Sequence, residues 1–523
     1  MSQKALSNHQ RISEILACLN QDLFEKEKVI GLALLSAIAG ESIFLLGPPG
    51  VAKSMIARRL KYAFSGAKSF EYLMGKFSTP DEVFGPVSIR KLKEEDRYER
   101  LTDRYLPGAN IVFLDEIWKA SPPIQNSLLT VLNEKIYRNG EQEFKVDIRG
   151  LISASNELPL KGEGLEAIWD RFLIRLVVAG IEREELFNRM ITMAKIRNEE
   201  KLVSENLKIS HQEYEDWSNE IDLVEVPSYI LGLINHIRKV IKQRNLTAEP
   251  TDQMYVSDRR WRKITQLLKA SAFLHDRKEV SVMDCFLVED CIWDEIEQVK
   301  ESQDIVLGSI TNYGYAFLVE RKAIMTELNS LQAEIKKETQ IVKQETVPIR
   351  KAYTDPKGTV FYRVPAFWGE TDAYLRMSDV EKIKGDTPAY IPVFEESGKS
   401  FRPFQTLDIG LVSDFVVTHK EREFEMEQST EERELIIPKK ANAATKKIWD
   451  SQILLLEQMC EENLMKLESR KHEDEGHLTK HIFVARAKSA HVMDSLDAAI
   501  KELLNYKLDI QKTQHAYESM DAN

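Results

Sequence analysis

Residues 42 to 60 read SIFLLGPPGVAKSMIARRL and combine a strand, a glycine-containing turn and the start of a helix. The apolar run Ser42–Leu46 predicts a buried strand, and residues 55–60 follow a helical pattern. A turn at a helix N-terminus can hold phosphate groups with its backbone amides. We therefore expect a nucleotide's phosphates to be bound by the octapeptide Gly47, Pro48, Pro49, Gly50, Val51, Ala52, Lys53 and Ser54.

The residue types within this turn suit that task. Gly47 and Gly50 allow the backbone to curl so that its amides point inward. Lys53 would reach the β- and γ-phosphates, and the Ser54 hydroxyl would bind Mg²⁺. Ala52 stands where the pattern G-x-x-x-x-G-K-[ST] has a second glycine. We expect its methyl group to be tolerated, with a negative φ.

A second buried strand, read from residues 111–114, leads into two adjacent acids, Asp115 and Glu116. Asp115 would hold a magnesium ion, and Glu116 would polarise the attacking water and accept its proton. The alternative is that the pair only begins the next helix, where acids suit the dipole. The preceding turn favours the catalytic interpretation.

Two further segments place polar residues where they would face a nucleotide. Residues 151–154 predict a strand that leads to Asn156, whose amide would orient the water or simply form a turn. Arg171 follows Asp170 and would either enter a neighbouring subunit's nucleotide site or pair with Asp170 on the surface. Residues 173–178 predict another buried strand.

The segment from Val256 to Arg262 predicts the capped start of a helix in a second, helical domain. It would bring Arg259 or Arg260 near the γ-phosphate when that domain closes. The alternative is a solvated basic face.

In this order and spacing, GPPGVAKS, IVFLDE, SASN and DRF resemble the MoxR branch of the AAA+ ATPases. The stretches FEYLMGKFSTPDEVFGP and YERLTDRYLP are similar to the insertion that precedes the acidic strand in that branch. The resemblance implies an ATPase that uses ATP and Mg²⁺. The implied fold is an α/β P-loop core, an αβα sandwich, with an α-helical lid. These motifs cover residues 25 to 265, and the C-terminal half matches mainly in its layout.

The resemblance also implies roles for individual residues. It makes Lys53 and Ser54 the Walker A pair, Asp115 and Glu116 the Walker B pair, Asn156 the first sensor, Arg171 the arginine finger and Arg259 the second sensor. Because Arg260 follows immediately, the choice between the two arginines stays open. The implied partners are five further copies in a ring hexamer, the inducible lysine decarboxylase and a von Willebrand factor A domain protein.

The chain pattern predicts four units. A stripe of apolar residues from 317 to 342 indicates a long helix, and residues 346–440 hold seven prolines and β-rich runs. The aromatic content of that stretch favours a folded module over a flexible linker. The expected units are an α/β nucleotide-binding domain (1–195), a helical lid (196–305), a discontinuous three-helix stalk (306–345 and 441–523) and an inserted β-rich module that binds a partner (346–440).

Charge and composition limit the function. A formal net charge of -12 argues against extensive, sequence-independent binding to nucleic-acid phosphates. With no signal sequence and no apolar run of about 20 residues, we expect a cytoplasmic protein. We interpret the chain as an ATP-driven, chaperone-like regulator of protein partners. The alternatives are a nucleotide-gated scaffold, in which turnover is incidental, and a nucleic-acid motor.

One histidine pattern suggests a metal site only weakly. His472, His477 and His481 lie close in sequence, but Gly476 and the surrounding charge favour a solvated loop between two helices.

Overall fold

The computed structural model describes residues 6–160, 162, 164–193, 202–383 and 387–519, without the side chains of Glu475 and His477. Two compact units can be distinguished by their internal contacts. The first comprises residues 1–326 and 455–509, and the second comprises residues 327–454 and 510–523. The predicted boundary between residues 195 and 196 lies outside the described residues.

The first unit is built on a five-stranded parallel sheet. Its strands follow the order β2-β3-β6-β1-β7, while β4 and β5 pair as a separate antiparallel hairpin. The four predicted strands, now β1, β3, β6 and β7, are confirmed to within one residue at each end. The bounds are β1 (Ser42–Leu46), β2 (Ser69–Leu73), β3 (Ile111–Asp115), β4 (Ile136–Asn139), β5 (Gln142–Lys145), β6 (Gly150–Ser155) and β7 (Ile174–Val177).

Helices cover this sheet and bury its apolar strands. The second helix is apolar around its whole circumference, and 10 of its 12 residues are buried, as expected for a helix enclosed by other elements. The helices of this part are α1 (Asn8–Leu19), α2 (Glu27–Ile38), α3 (Lys53–Leu60), α4 (Pro80–Phe84), α5 (Ile89–Glu94), α6 (Pro122–Glu134), α7 (Glu166–Trp169) and α8 (Glu184–Thr192).

The strand order brings the candidate site together. β3, β6 and β1 are neighbours, with Asp115 beside Ala154 and Leu46 beside Ser155 in the parallel register. The carboxyl ends of parallel strands meet at one edge of a sheet, where α/β proteins bind their ligands. The glycine turn, the acidic pair and Asn156 therefore lie at the same edge.

A helical region follows, and its described residues from 202 to 305 contain no strand. Ile230, Leu233, Ile237 and Ile241 recur at helical spacing and are buried on one face, as the sequence predicts. The helices are α9 (His211–Asp222), α10 (Ser228–Asn245), α11 (Asp258–Leu274) and α12 (Gln298–Tyr313).

The next helix, α13 (Arg321–Thr339), is shorter than the predicted helix of residues 317–342. Ile341 and Val342 belong to a strand, β8 (Gln340–Arg350), where they pair with Ile437 and Ile436. The sequence prediction was wrong here because the apolar spacing fits either element, whereas β-branched residues favour a strand. The inserted β region spans residues 340–438 rather than 346–440.

Most of the inserted region is one antiparallel sheet in the order β15-β14-β13-β12-β11-β10-β9, and β16 pairs with β8 as a separate ribbon. Val364, Leu375, Val393 and Ile409 are buried within its own apolar core. A flexible linker is therefore excluded for its described residues. The elements are β9 (Ala352–Thr354), β10 (Val360–Val364), β11 (Ala373–Arg376), α14 (Met377–Val380), β12 (Ala389–Ser397), β13 (Ser400–Ser413), β14 (Val416–His419), β15 (Arg422–Glu425) and β16 (Gln428–Pro438).

Two long helices complete the chain, α15 (Ala443–Leu478) and α16 (Ser489–Glu518). The predicted loop around Gly476 is wrong, because α15 continues through it to Leu478. Asp474 is buried and accepts a hydrogen bond from the Tyr315 hydroxyl. Such packing outweighs the low helix propensity of one glycine, which is about 1 kcal/mol.

Within the second unit, side-chain hydrogen bonds join parts of α13, α15 and α16. Trp449 donates to Glu334 over 3.1 Å, and Tyr517 donates to Asp450 over 2.7 Å. No described helix combines the length and the apolarity that crossing a membrane would require.

Candidate nucleotide-binding site

The turn after β1 favours glycine at two positions, for a different reason at each. A Cβ on Gly47 would lie 2.3 Å from the Val178 carbonyl oxygen, so that a side chain there would collide with β7's continuation. Gly50 has a φ of 85°, in the left-handed region. The helix α3 starts at Lys53, directly after the turn. The first amides of a helix have no intrahelical acceptor and can bind an anion.

Ala52 corrects one expectation, because its φ is 69° rather than negative. The residue holds the left-handed conformation that the missing glycine would adopt, at a cost of about 1 kcal/mol or more for a residue with a Cβ. The turn geometry thus takes precedence over the local preference of alanine. The sequence shows the substitution but not the φ that accompanies it.

The side chain of Lys53 is 6% exposed and points into the turn. Its Nζ donates to the Gly47 carbonyl oxygen, to the Pro48 carbonyl oxygen at 3.3 Å and to Asn156 Oδ1 at 3.3 Å. Burial lowers the pKa of Lys53, and the charges of Asp115 and Glu116 oppose this shift. The ammonium group is thereby positioned among oxygen acceptors that phosphate oxygens can replace.

The acidic pair lies at the end of β3. The Glu116 backbone amide donates to Asp115 Oδ1 at 3.1 Å, and burial raises the pKa of Asp115 against this bond and the charge of Lys53. Glu116 has a φ of 52°, which turns the chain sharply after the strand. Its carboxylate lies 3.1 Å from the Lys119 ammonium group. Glu116 also directly precedes one turn of 3-10 helix, Ile117–Lys119, as the alternative predicts, whereas the longer helix α6 starts only at Pro122.

Asn156 is exposed just beyond β6. Its neighbour Ser155 accepts a hydrogen bond from the Gly47 amide at 3.1 Å, so that the end of β6 is joined to the glycine turn. The structure therefore brings together Lys53, Asn156 and the end of β3. Ser54, the second residue of α3, directly follows Lys53 and is half-buried.

Arg171 is paired within its own chain, since its Nη1 lies 3.4 Å from Asp170 Oδ2. Only 16% of its side chain is exposed, so the pair is more enclosed than the predicted surface ion pair. Its Nε is buried and has no hydrogen-bond partner among the described residues. Arg171 lines a cleft of about 640 Å³ together with Tyr255 and Arg260.

Arg259 and Arg260 have different environments at the start of α11. Ser257 caps that helix by accepting from the Arg260 amide, as the sequence predicts. Arg260 is 2% exposed and lies 3.0 Å from Asp170 and 3.3 Å from Asp294. Arg259 is 42% exposed, near Asp170 at 3.4 Å. The two arginines are thus a buried structural cation and an accessible one.

Sequence reasoning missed several residues around the site. Lys119 follows Glu116 by three residues, a spacing that could have revealed the ion pair. Asp294 accepts hydrogen bonds from the buried Arg175 and from Arg260. No recognisable motif surrounds Asp294 in the sequence, so its role could not be predicted. Trp118 donates from Nε1 to the Glu157 carbonyl oxygen at 2.9 Å. No sequence pattern predicts this bond, because it depends on how two strands pair.

The histidine pattern leads to an unexpected cluster of His481 with His275 and Asp284. The His481 Nε2 lies 3.0 Å from Asp284 Oδ1, and its Nδ1 accepts from the Val484 amide. His275 is bonded at both ring nitrogens, to the Ser271 carbonyl oxygen and the Ile482 amide. Arg277 also pairs with Asp284. These bonds occupy the nitrogen lone pairs that a metal would need, so the cluster is a structural one.

Comparison with known proteins agrees with this geometry. Residues 10–218 match the family model described as the MoxR domain in the MoxR-vWA-beta-propeller ternary systems, and residues 229–306 match an AAA lid domain. An uncharacterized protein of Methanocaldococcus jannaschii is 35% identical over 329 residues, which are 62% of this chain and 82% of that one. A second from the same organism is 36% identical over 61% of this chain and 80% of its own length.

A protein named chaperone MoxR1 from Mycobacterium tuberculosis is 28% identical over 171 residues, which are 32% of this chain and 42% of that protein. The matched models span the α/β sheet and the helical region that follows it. The chain therefore belongs to the MoxR family of AAA+ ATPases.

Proposed function

We propose that the chain hydrolyses ATP with Mg²⁺, using residues 47 to 54 to bind the phosphates and Asp115 with Glu116 to carry out hydrolysis. The observation that carries this proposal is the junction of three neighbouring strand ends. Lys53, on the turn after β1, donates to Asn156 after β6, and the acidic pair ends β3. A cation, an amide and two carboxylates at one sheet edge are the groups that would be needed to hydrolyse the phosphoanhydride bond of ATP.

The donor set fits a nucleotide with its metal. The glycine turn leaves room for close backbone approach, and Lys53 would exchange its carbonyl partners for phosphate oxygens. Ser54 and Asp115 would hold Mg²⁺ through oxygen atoms, which this ion prefers. When bound, Mg²⁺ supplies charge neutralisation of the phosphate oxygens. Glu116 would then accept the proton of the attacking water, and Asn156 would orient that water.

The arginines would complete the site from outside the sheet. We propose Arg171 as the arginine finger in a neighbouring subunit of a hexamer, where it would leave Asp170 for the phosphates. We propose Arg259 as the second sensor, because Arg260 is buried between Asp170 and Asp294 and cannot reach a ligand without breaking both pairs.

Substitution of Glu116 by Gln tests the catalytic proposal. The variant should bind ATP with nearly unchanged affinity and retain it unhydrolysed, because glutamine keeps the shape but cannot take a proton. The measurement is the fraction of bound nucleotide that remains ATP after gel filtration. Conversion to ADP at the wild-type rate would contradict the role of Glu116. If the variant still regulates its partner in cells, the nucleotide-gated scaffold is the better account.

For the biological role, we propose a chaperone-like regulator similar to the regulatory ATPase RavA. A von Willebrand factor A domain partner is supported by the description of the matched model, which refers to MoxR-vWA systems. The inducible lysine decarboxylase would bind the inserted β region, which would be presented by a stalk of α13, α15 and α16. The folded core of that region supports a recognition module rather than a linker.

A variant that lacks residues 340–438 and keeps the rest of the chain tests the partner proposal. The Lys439 amide donates to the Thr339 carbonyl oxygen at 2.7 Å, so a short glycine link can replace the excised region. The deletion variant should retain ATPase activity and lose binding to purified inducible lysine decarboxylase. Equal binding by both proteins would show that the decarboxylase docks elsewhere.

The alternative of a nucleic-acid motor predicts a different result. If DNA or RNA binds in a salt-sensitive way and stimulates ATP turnover, the motor is the better account.

A further inference from the structure

Trp118 occupies the turn that immediately follows the acidic pair. Its indole ring lies 5.2 Å from the Phe44 ring on β1 and 5.9 Å from the Trp169 ring, measured between centroids. Aromatic contacts at these separations are favourable and hold a ring in place. The indole is therefore fixed between the strand that leads to the glycine turn and the segment that leads to Arg171.

The polar edge of this fixed ring has a specific acceptor. Trp118 Nε1 donates to the Glu157 carbonyl oxygen over 2.9 Å. On the other side of Asn156, the Ser155 carbonyl oxygen accepts from the Gly47 amide at 3.1 Å. The backbone around Asn156 is thus held at both flanks, by the glycine turn on one side and by the turn after Glu116 on the other.

We infer that Trp118 is a positioning residue for Asn156 and ties this amide to the turn that carries Glu116. The inference rests on the proposed ATPase function, in which the Asn156 amide orients the water that Glu116 activates. Two groups that act on one water must keep a fixed separation, since a displacement of about 1 Å can cost two orders of magnitude in rate. The Trp118 bond supplies that constraint between two strand ends.

The N–H group, rather than the bulk of the ring, carries the effect. Trp118→Phe keeps an aromatic ring against Phe44 and removes only the donor and part of the ring area. The loss of one neutral hydrogen bond corresponds to about a five- to tenfold effect. We expect the kcat for ATP to fall by about that factor, with the KM changed less than about twofold, because Lys53 and the glycine turn are untouched.

A double-mutant cycle tests the inference on the full-length protein, with kcat, KM and thermal midpoint measured for wild type, Trp118→Phe, Asn156→Ala and the double variant. If Trp118 acts through Asn156, the Trp118→Phe change has no further effect on kcat once Asn156 is Ala. Trp293→Phe, a matched change in the same aromatic cluster, should instead combine additively with Asn156→Ala. A merely structural role would lower the thermal midpoint and combine additively for both tryptophans.

The inference is overturned if Trp118→Phe leaves kcat unchanged, or lowers it equally with and without the Asn156 amide. It is also overturned if Asn156→Ala alone has no effect on kcat. A separate arm with Lys53→Ala reports on the proposed function. Activity lost with Lys53→Ala but unaffected by Trp118→Phe rejects only the inference, whereas activity unaffected by Lys53→Ala rejects the proposed function.

Discussion

The Arg260 guanidinium group, at the start of α11, lies 3.0 Å from the carboxylate of Asp170, the residue that precedes Arg171. The same guanidinium group is 3.3 Å from Asp294. One buried cation therefore joins the helical region to the segment that carries the candidate arginine finger. A substitution that breaks this pairing would therefore disturb both the helical region and the segment that carries Arg171.

Replacement of Arg260 should damage stability, and replacement of Arg259 should damage turnover. Removing the buried cation in Arg260→Met leaves Asp170 and Asp294 less well paired, and we expect a loss of about 3 kcal/mol in unfolding free energy. Arg259→Ala should stay within about 0.5 kcal/mol of wild type and lower kcat about a hundredfold. Urea unfolding and ATP turnover measure the two effects. The opposite assignment of stability and activity would make Arg260 the sensor.

Ala52→Gly should stabilise the chain by about 0.5 to 1 kcal/mol. Glycine removes the strain of a left-handed alanine, partly offset by the greater freedom of glycine in the unfolded chain. Ala57→Gly, in the interior of α3, is a control that should destabilise by about 1 kcal/mol or more, because a buried methyl group is lost in addition to helix propensity. Thermal unfolding compares the two. Destabilisation by both changes would contradict the positive φ at Ala52.

Mixing two inactive variants tests whether Arg171 acts in a neighbouring subunit. The Arg171→Ala variant retains Glu116, and the Glu116→Gln variant retains Arg171. If the arginine acts between subunits, mixed assemblies contain sites with both groups, so the mixture should turn over ATP faster than the sum of its parts. Wild-type protein diluted with each variant serves as the control for subunit exchange. With exchange demonstrated, the absence of any gain would contradict the proposal that Arg171 acts in a neighbouring subunit's site.

The Arg11–Glu213 pair predicts a loss of stability in acid. The hydrogen bond from Arg11, ahead of other contributions, lowers the pKa of Glu213 from 4.5 to about 2. Between these values the unfolded chain binds the proton and the folded chain does not, so the stabilisation is complete above 4.5 and is lost as the pH falls toward 2. The gap in urea midpoint between wild type and Glu213→Gln should shrink over that range. A gap independent of pH would contradict the lowered pKa.

The sequence was most informative where a local pattern of residue types is typical of one backbone structure. The run before Gly47 and the run before Asp115 predicted their strands almost to the residue, because buried parallel strands are continuously apolar. The cap at Ser257 was likewise readable from local chemistry.

The remaining features depend on long-range packing. The buried state of Arg260 follows from Asp294, which is far along the chain and has no motif. Ile341 and Val342 fit a helical stripe until β16 supplies partners for them. The helix through Gly476 likewise depends on the burial of Asp474 against Tyr315.

The most direct test of the account is ATP hydrolysis by purified Lys53→Ala protein compared with wild type. Lys53 is the cation that the structure holds within the glycine turn, in contact with Asn156. We predict that its removal lowers turnover about a hundredfold or more, with the fold intact by circular dichroism. Hydrolysis by Lys53→Ala at the wild-type rate would contradict the assignment of this turn and of the acids opposite it.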